Sequence, residues 1–356
     1  WSLGAGYRRS DGWEGSDLVV KTPVAGVGAV PVTGAVRTST PDARTAWLVG
    51  DKGARPWEQF NATLALRHET AGGARLAGGL AWSKYRVGAT PPRSLLRDGS
   101  GAEVMQGDVG FVAGEPVRLA LVEADFLTQT PSSEEEWRAY ARAEVPVSAG
   151  IVLNASMGWL DHAFRFPLPG RSADFEQGPG EFFDQPNQRA DADVHARIEL
   201  SPSFAATVGG SLNRNHLDRS TWRVSDWRDY DSRTAQTSAS DGTTWNAAAY
   251  VDAQWFALRW LTLYAGARYD RFTTSGRIEQ NTPPAFATDY PERSESQLSP
   301  KLAAVVALGR DTTLRLSYGE GFRAPTLLDL YSRSVAPGAS AGAPVVTEPA
   351  PDLAAE

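Results

Sequence analysis

The sequence predicts an all-β chain, an antiparallel transmembrane β-barrel of which about thirteen strands are present. Three observations carry this prediction. Apolar and polar residues alternate with period two in window after window, the spacing of a strand with one dry and one wet face. Short turns alternate with long connections, and the strands between them run to about ten residues, the length that crosses a hydrocarbon layer at a tilt. Aromatic residues fall near strand ends on the apolar faces, where membrane interfaces hold them.

Taken in order, strands are expected at 1–9, 59–68 and 76–85, the last two joined by a short turn near 69–74. Two more are placed at 104–112 and 117–127, around Gly114-Glu115-Pro116. They give the strands near 76–85 and 134–144 the right directions while all short turns stay on one side. The clearest hairpin follows. Trp137, Ala139, Ala141, Ala143, Val145 and Val147 share one face of 134–144 and its continuation, opposite Arg138, Tyr140, Arg142 and Glu144. After Ser148-Ala149-Gly150, strand 151–160 sets Ile151, Leu153, Ala155, Met157 and Trp159 on its apolar side. Strand 190–200 opposes Ala190, Ala192, Val194, Ala196, Ile198 and Leu200 to Asp191, Asp193, His195, Arg197 and Glu199. Ser201-Pro202-Ser203 then turns the chain into 204–213. Strand 244–254 begins its apolar face at Trp245, and that face ends at Trp255; strand 260–270 ends its own at Tyr269. Strands 298–308 and 313–319 meet across Gly309-Arg310-Asp311-Thr312. The long connections are expected near 86–103, 160–189, 214–243 and 271–297. The first and last of thirteen antiparallel strands run the same way, so the barrel is expected to be partial, continued at both ends by chain outside this sequence.

Composition removes several function classes. With 42 acidic against 35 basic side chains the net charge is −7, which lacks the clustered cation footprint of a nucleic-acid binder. No cysteine is present, so disulfide scaffolds, thiolate zinc sites and thiol chemistry are excluded. No run approaches ~18 apolar residues, which excludes a membrane helix and leaves a barrel open. The chain starts at Trp1 without a signal peptide and stops at Pro351-Asp352-Leu353-Ala354-Ala355-Glu356, and it is expected to be an excised piece of something longer. His68, His162, His195 and His216 are scattered without metal-ligand spacing. Gly338-Ala339-Ser340-Ala341-Gly342 matches a nucleophile-elbow string but lacks its strand-to-helix context. No phosphate loop or dinucleotide fingerprint is present, and no cofactor or enzymatic activity is predicted.

Trp137, Trp159, Trp245, Trp255, Trp260 and Tyr269 occupy girdle positions, with Trp245 and Trp255 bracketing one strand. The competing architecture is a water-soluble sandwich or propeller, whose core the many alanines of these faces would fill poorly.

Leu314-Arg315-Leu316-Ser317-Tyr318-Gly319-Glu320-Gly321-Phe322-Arg323-Ala324-Pro325-Thr326-Leu327, followed by Leu330-Tyr331, resembles a signature of TonB-dependent outer-membrane receptors. Tyr264-Ala265-Gly266-Ala267-Arg268-Tyr269-Asp270 resembles that family's "pG.RyD" strand, and Gly6-Tyr7-Arg8-Arg9-Ser10-Asp11-Gly12 the end of an early strand. Ala350-Pro351-Asp352-Leu353-Ala354-Ala355-Glu356 keeps the Pro, Leu and Glu of an "NP.L.PE" run and departs from it at two positions. The resemblance implies a 22-stranded barrel around a plug, in the outer membrane of a Gram-negative bacterium. It also implies uptake of a scarce nutrient, an iron–siderophore or cobalamin-like chelate, energised through a TonB complex acting before the plug. The whole of 1–356 is expected to be barrel, with no plug domain in this chain. The expected partners are outer-membrane lipid, the receptor's own plug, TonB and a small chelate, and no nucleic acid.

In this reading Arg138, Arg142, Glu144, Asp191, Asp193, Arg197, Glu199, Asp252, Arg268 and Asp270 face a wet lumen or the plug. A lipid-facing Arg at midplane would cost on the order of 2–4 kcal/mol. Ligand chemistry is expected in the 214–243 connection, where Arg214, His216, Arg219, Trp222, Arg223, Trp227, Arg228 and Tyr230 combine guanidinium clamps with flat stacking surfaces. Asp226, Asp229 and Asp231 offer a weaker calcium alternative without a complete calcium-loop spacing. Arg323 and Pro325 are read as structural. A passive porin-like channel and a soluble secreted β-protein binding a glycan or protein partner are the other two readings of the same strands.

Overall fold

The computed structural model describes residues 1–15, 17–336 and 345–354. One antiparallel sheet of eleven strands forms a curved wall, with every strand beside its neighbour in the wall's chain order. The strands are β1 Ser2–Ser10, β2 Trp57–Glu69, β3 Arg75–Val87, β4 Ser132–Ser148, β5 Ile151–Pro169 and β6 Gly180–Ser201. They continue as β7 Phe204–Val224, β8 Arg233–Leu258, β9 Leu261–Gln280, β10 Phe286–Ala307 and β11 Thr313–Gly319. With eleven strands, β1 and β11 run the same way and are the two free edges, so the barrel is open.

Period-two alternation makes the two faces. On β8, Trp245, Ala247, Ala249, Val251, Ala253 and Trp255 point outward, and Asn246, Ala248, Tyr250, Asp252 and Gln254 point inward. Register carries the division across the wall: Trp159, Ala190, Arg214 and Trp245 stand in one outward row. Outward apolar side chains remain open, with Trp245, Val251 and Trp255 at 41%, 45% and 49% exposure. A continuous apolar band this broad is costly against water and matched by hydrocarbon, so the band reads as the lipid face.

Two expectations about the strands are corrected. The hairpin of Gly107–Ala113 and Glu115–Leu121 exists but does not belong to the wall, where β3 pairs directly with β4. Opposite directions for those two strands need an even number of strands between them, and zero satisfies that as well as two. At seven residues each, the hairpin strands also fall short of the ~9–11 that cross a bilayer. The wall therefore has eleven strands rather than thirteen. The long connections also shrink, because pairing continues far above the apolar band: β5 to β9 run to 19, 22, 21, 26 and 20 residues. Above the band neither face meets lipid, so the strict apolar–polar alternation disappears from the sequence while the backbone ladder continues.

The displaced hairpin joins a cap on the long-loop side, built from 11–15, 17–56 and 88–131. Strands Leu18–Lys21, Val36–Ser39 and Thr45–Asp51 form one small sheet, and Val30–Pro31 lies beside the hairpin. Val19, Val32, Trp47, Val49, Leu96, Val109, Leu119, Leu121 and Phe126 close into a dry core between them.

Candidate functional site

The ten charged residues expected in the lumen all lie on the inward face of their strands. They interlock at the level of the lipid band. Arg268 Nε lies 2.9 Å from Asp270 Oδ2, and its Nη2 donates to Ser211 Oγ at 3.1 Å. Tyr250 donates to Asp193 at 2.8 Å, and the same carboxylate meets His195 Nδ1 at 2.8 Å. Lys301 reaches Asp252 at 2.6 Å, Arg75 reaches Glu144 at 3.1 Å, and Arg197 reaches Glu199 at 3.1 Å. Arg138 pairs with Glu136 at 2.6 Å and Asp191 with Arg189 at 3.5 Å, while Arg142 lies over the Tyr140 ring. Acid and base alternate here, which gives a wet surface without a large field of one sign.

Higher up, the inward face is covered by the chain's own continuation. After β11 the segment folds back, and Thr326 caps helix α1, Leu327–Tyr331, by accepting from Asp329 N at 3.2 Å while Asp329 accepts Thr326 N at 3.2 Å. Leu327, Leu330 and Tyr331 are buried with Leu217 and Phe272. The socket for Tyr331 is made by two glycines facing each other across β8 and β9. A Cβ at Gly242 would stand 2.6 Å from Tyr331 Cδ2, and one at Gly276 2.7 Å from Tyr331 Cγ. The phenol also hydrogen-bonds Thr274 Oγ1 at 2.9 Å, and burial raises its pKa. Ala350 N donates to Asp329 O at 3.0 Å, so the two stretches that resemble separate family motifs meet here. Arg323 and Pro325 belong to this fold-back segment, just before α1.

Beside α1 a cavity of about 310 Å³ opens on the inward face of β6 to β9. Arg219 and Phe183 line it, with the guanidinium 5.3 Å from the ring centroid and Nη1 donating to Ser332 Oγ at 2.6 Å. Phe183 stacks on Phe166 at 4.7 Å and 4° between planes. Arg219 has no carboxylate partner among the described residues, and burial holds its pKa below the usual value. Arg333, also in the lining, pairs with Glu348 at 3.1 Å and donates to Gln280 at 2.7 Å. Glu181 and Glu279 also line the cavity, Glu279 held by Arg277 at 3.2 Å, and neither is in ion-pair reach of Arg219. This half-buried cation beside a flat aromatic can therefore accept an anionic, planar group.

The 214–243 stretch does not form one binding loop, since it is β7, a turn and β8. Its eight candidates fall into three environments. Arg219 reaches the cavity, and Arg223 continues its inward row. Arg214 faces outward over the Trp245 ring at 5.7 Å, His216 bonds Thr243 on the same side, and Trp222 lies outward with Ser220. Trp227 is 1% exposed, packed with Leu127, Phe182 and Val224, while Arg228 lies over Phe175 and Tyr230 donates to Asp184. Asp226, Asp229 and Asp231 do not assemble a calcium site; Asp226 and Asp229 accept the N–H groups of Arg228 and Asp231 within the turn. Among the described residues no group of three acidic or histidine side chains is placed to hold a metal. The Gly338–Gly342 string lies outside the described residues. Phe183, Phe166 and the two socket glycines escaped the sequence reading, although a glycine inside a strand signals close approach of another chain segment.

An open antiparallel wall with an apolar exterior and an ion-paired interior defines a membrane β-barrel. Residues 151–356 match the family model for TonB dependent receptor-like β-barrels, and the chain belongs to that family. No curated protein matches it by sequence. Among solved structures it resembles the ferric yersiniabactin uptake receptor FyuA from Yersinia pestis, at 13% identity over 88% of this chain and 44% of that one, TM-score 0.51. It resembles the copper transporter OprC at 12% identity over 95% of this chain and 43% of that one, TM-score 0.58. The ferric-catecholate import receptor Fiu from K12 E. coli, in its closed form, matches at 11% identity over 85% and 50%, TM-score 0.50. The chain thus spans half or less of the length of these structures, and at such identities the likeness is one of fold.

Proposed function

We propose that this chain is barrel wall of a Gram-negative outer-membrane receptor that takes up a scarce metal chelate of the siderophore or cobalamin-like kind. In this reading a plug and a TonB complex, contributed by the rest of the receptor, energise transport. The ten charged lumen residues are the wetted surface and plug contact, and Arg219 with Phe183 is the first anion-holding point. Arg219 is the observation that carries the reading. A cation without a counterion, half-buried on the lumen face beside a phenyl stack, is stabilised when an anion docks there. The fold-back segment supports a gated lumen over an open porin-like one, because it lies across the inward face of β7 to β9.

Arg219→Gln should weaken binding of a negatively charged ferric chelate by about tenfold, the worth of one charge-assisted contact. Ferric citrate and ferric catecholates are the probes, read by tryptophan quenching of the detergent-solubilised receptor. Unchanged affinity for every anionic chelate that the parent binds would remove Arg219 from the site.

A further inference from the structure

A second cavity, about 570 Å³, lies on the opposite face of the wall, against the outside of β1 to β6. Four arginines line it, Arg9, Arg86, Arg165 and Arg228, against the two carboxylates Asp11 and Glu58. Three of them share one register row: Arg9 is opposite Glu58, Glu58 opposite Arg86, Arg86 opposite Ser133, and Ser133 opposite Arg165. Neighbouring strands lie about 4.8 Å apart, so successive arginines of the row stand roughly 10 Å apart. The row rises from the lipid boundary. On the same outward face Arg9 is two residues past Tyr7, Arg86 four past Trp82, and Arg165 six past Trp159.

The partners of these cations leave part of the charge free. Arg86 reaches Glu58 at 3.4 Å and Arg165 reaches Asp184 at 2.9 Å. Arg9 has no ion-pair partner among the described residues, and Arg228 donates to the Phe175 carbonyl at 2.7 Å. A ledge overhangs the cavity, made where 123–131, 170–179 and 225–232 pack through Leu127, Ala173, Phe182 and Trp227. Cations on the outward side, just past an aromatic girdle and under a ledge, meet headgroups rather than transported solute.

We infer that this cavity is a lipid site that holds the phosphate groups of a phosphorylated glycolipid of the outer leaflet. The sugars sit under the ledge beside Phe182 and Tyr230, and the acyl chains lie on the apolar band below. The inference rests on the membrane reading of the wall. Its test uses the whole protein in phosphatidylcholine nanodiscs doped with a bisphosphorylated lipid A-type glycolipid, the same glycolipid after phosphatase treatment, or neither. Native mass spectrometry counts bound lipid. The expected result is retention of the phosphorylated form at least about tenfold over the dephosphorylated form, with a several-fold loss in R9Q/R86Q. Equal retention of the two forms by the parent protein would overturn the site, a comparison that needs no variant to fold. Full displacement by millimolar inorganic phosphate would assign the cavity to free phosphate and overturn the lipid. Failure to enter the nanodisc would overturn the membrane reading itself, whereas insertion without phosphate preference would sink this inference alone.

Discussion

The cap and the wall are built from the same amino acids under opposite rules. In the cap, Val49, Leu96, Val109, Leu119 and Phe126 are 0% exposed and hold short strands together from within. In the wall the apolar residues are the exposed ones, Met157 at 63% and Leu302 at 57%, and the protected side is ionic. One region folds by removing apolar surface from water, the other by giving it to lipid while its backbone ladder satisfies the nine strands between its two edges. The difference teaches that exposure of a large apolar residue has no fixed meaning until its solvent is known.

The largest expected effect breaks the cap and spares the wall. Leu119→Ala should destabilise the cap by about 2–5 kcal/mol, because the space left behind cannot collapse under the surrounding sheet edges. Limited proteolysis should then cut between 107 and 121 while the wall fragment stays intact; equal loss of both would deny them separate cores. A slightly smaller effect separates the two faces of the wall. Ala249→Arg, outward at midspan, should lower insertion stability by about 2–4 kcal/mol, whereas Ala248→Arg, one residue away and inward, should change little. Refolding titrations into lipid vesicles measure both, and similar costs would contradict the assignment of faces.

Legibility followed the same divide. The wall was readable wherever one face met lipid, as in Trp245 to Trp255, because two solvents impose period two. It stopped being readable at Arg214 to Val224, where pairing goes on beyond the lipid band, Leu217 packs against α1, Val224 joins the ledge core, and the register shifts at Thr221/Trp222. That is why Arg219, Arg214 and Trp222 were grouped as one loop although they point to different sides. Of the cap only the hairpin 107–121 was readable, and its place was not; the other cap strands, two to seven residues long, carry too few positions for any period. The Gly319–Tyr331 motif was recognised as a string, but its role needed Gly242 and Gly276, distant in sequence and silent in composition.

The smallest predicted effect concerns the ledge where cap and wall meet. Burial, then the hydrogen bond to Asp184, raises the Tyr230 pKa above its usual 10.0. Between 10.0 and that raised value the folded form keeps a proton that the unfolded chain has lost, so stability falls as pH rises. Fluorescence of Trp227, packed beside it, should report loosening above pH 10 that Tyr230→Phe abolishes; an identical pH profile in the variant would exclude this phenol as the cause.

The central claim is that one strand face touches lipid and the other a watery lumen. Because the chain has no cysteine, each residue from 245 to 255 can carry a single spin label at a unique introduced thiol. Collision with oxygen dissolved in lipid and with a water-soluble nickel chelate should alternate residue by residue, with 245, 247, 249, 251, 253 and 255 on the lipid side. Water accessibility at every position, or an alternation with the opposite phase, would contradict the account.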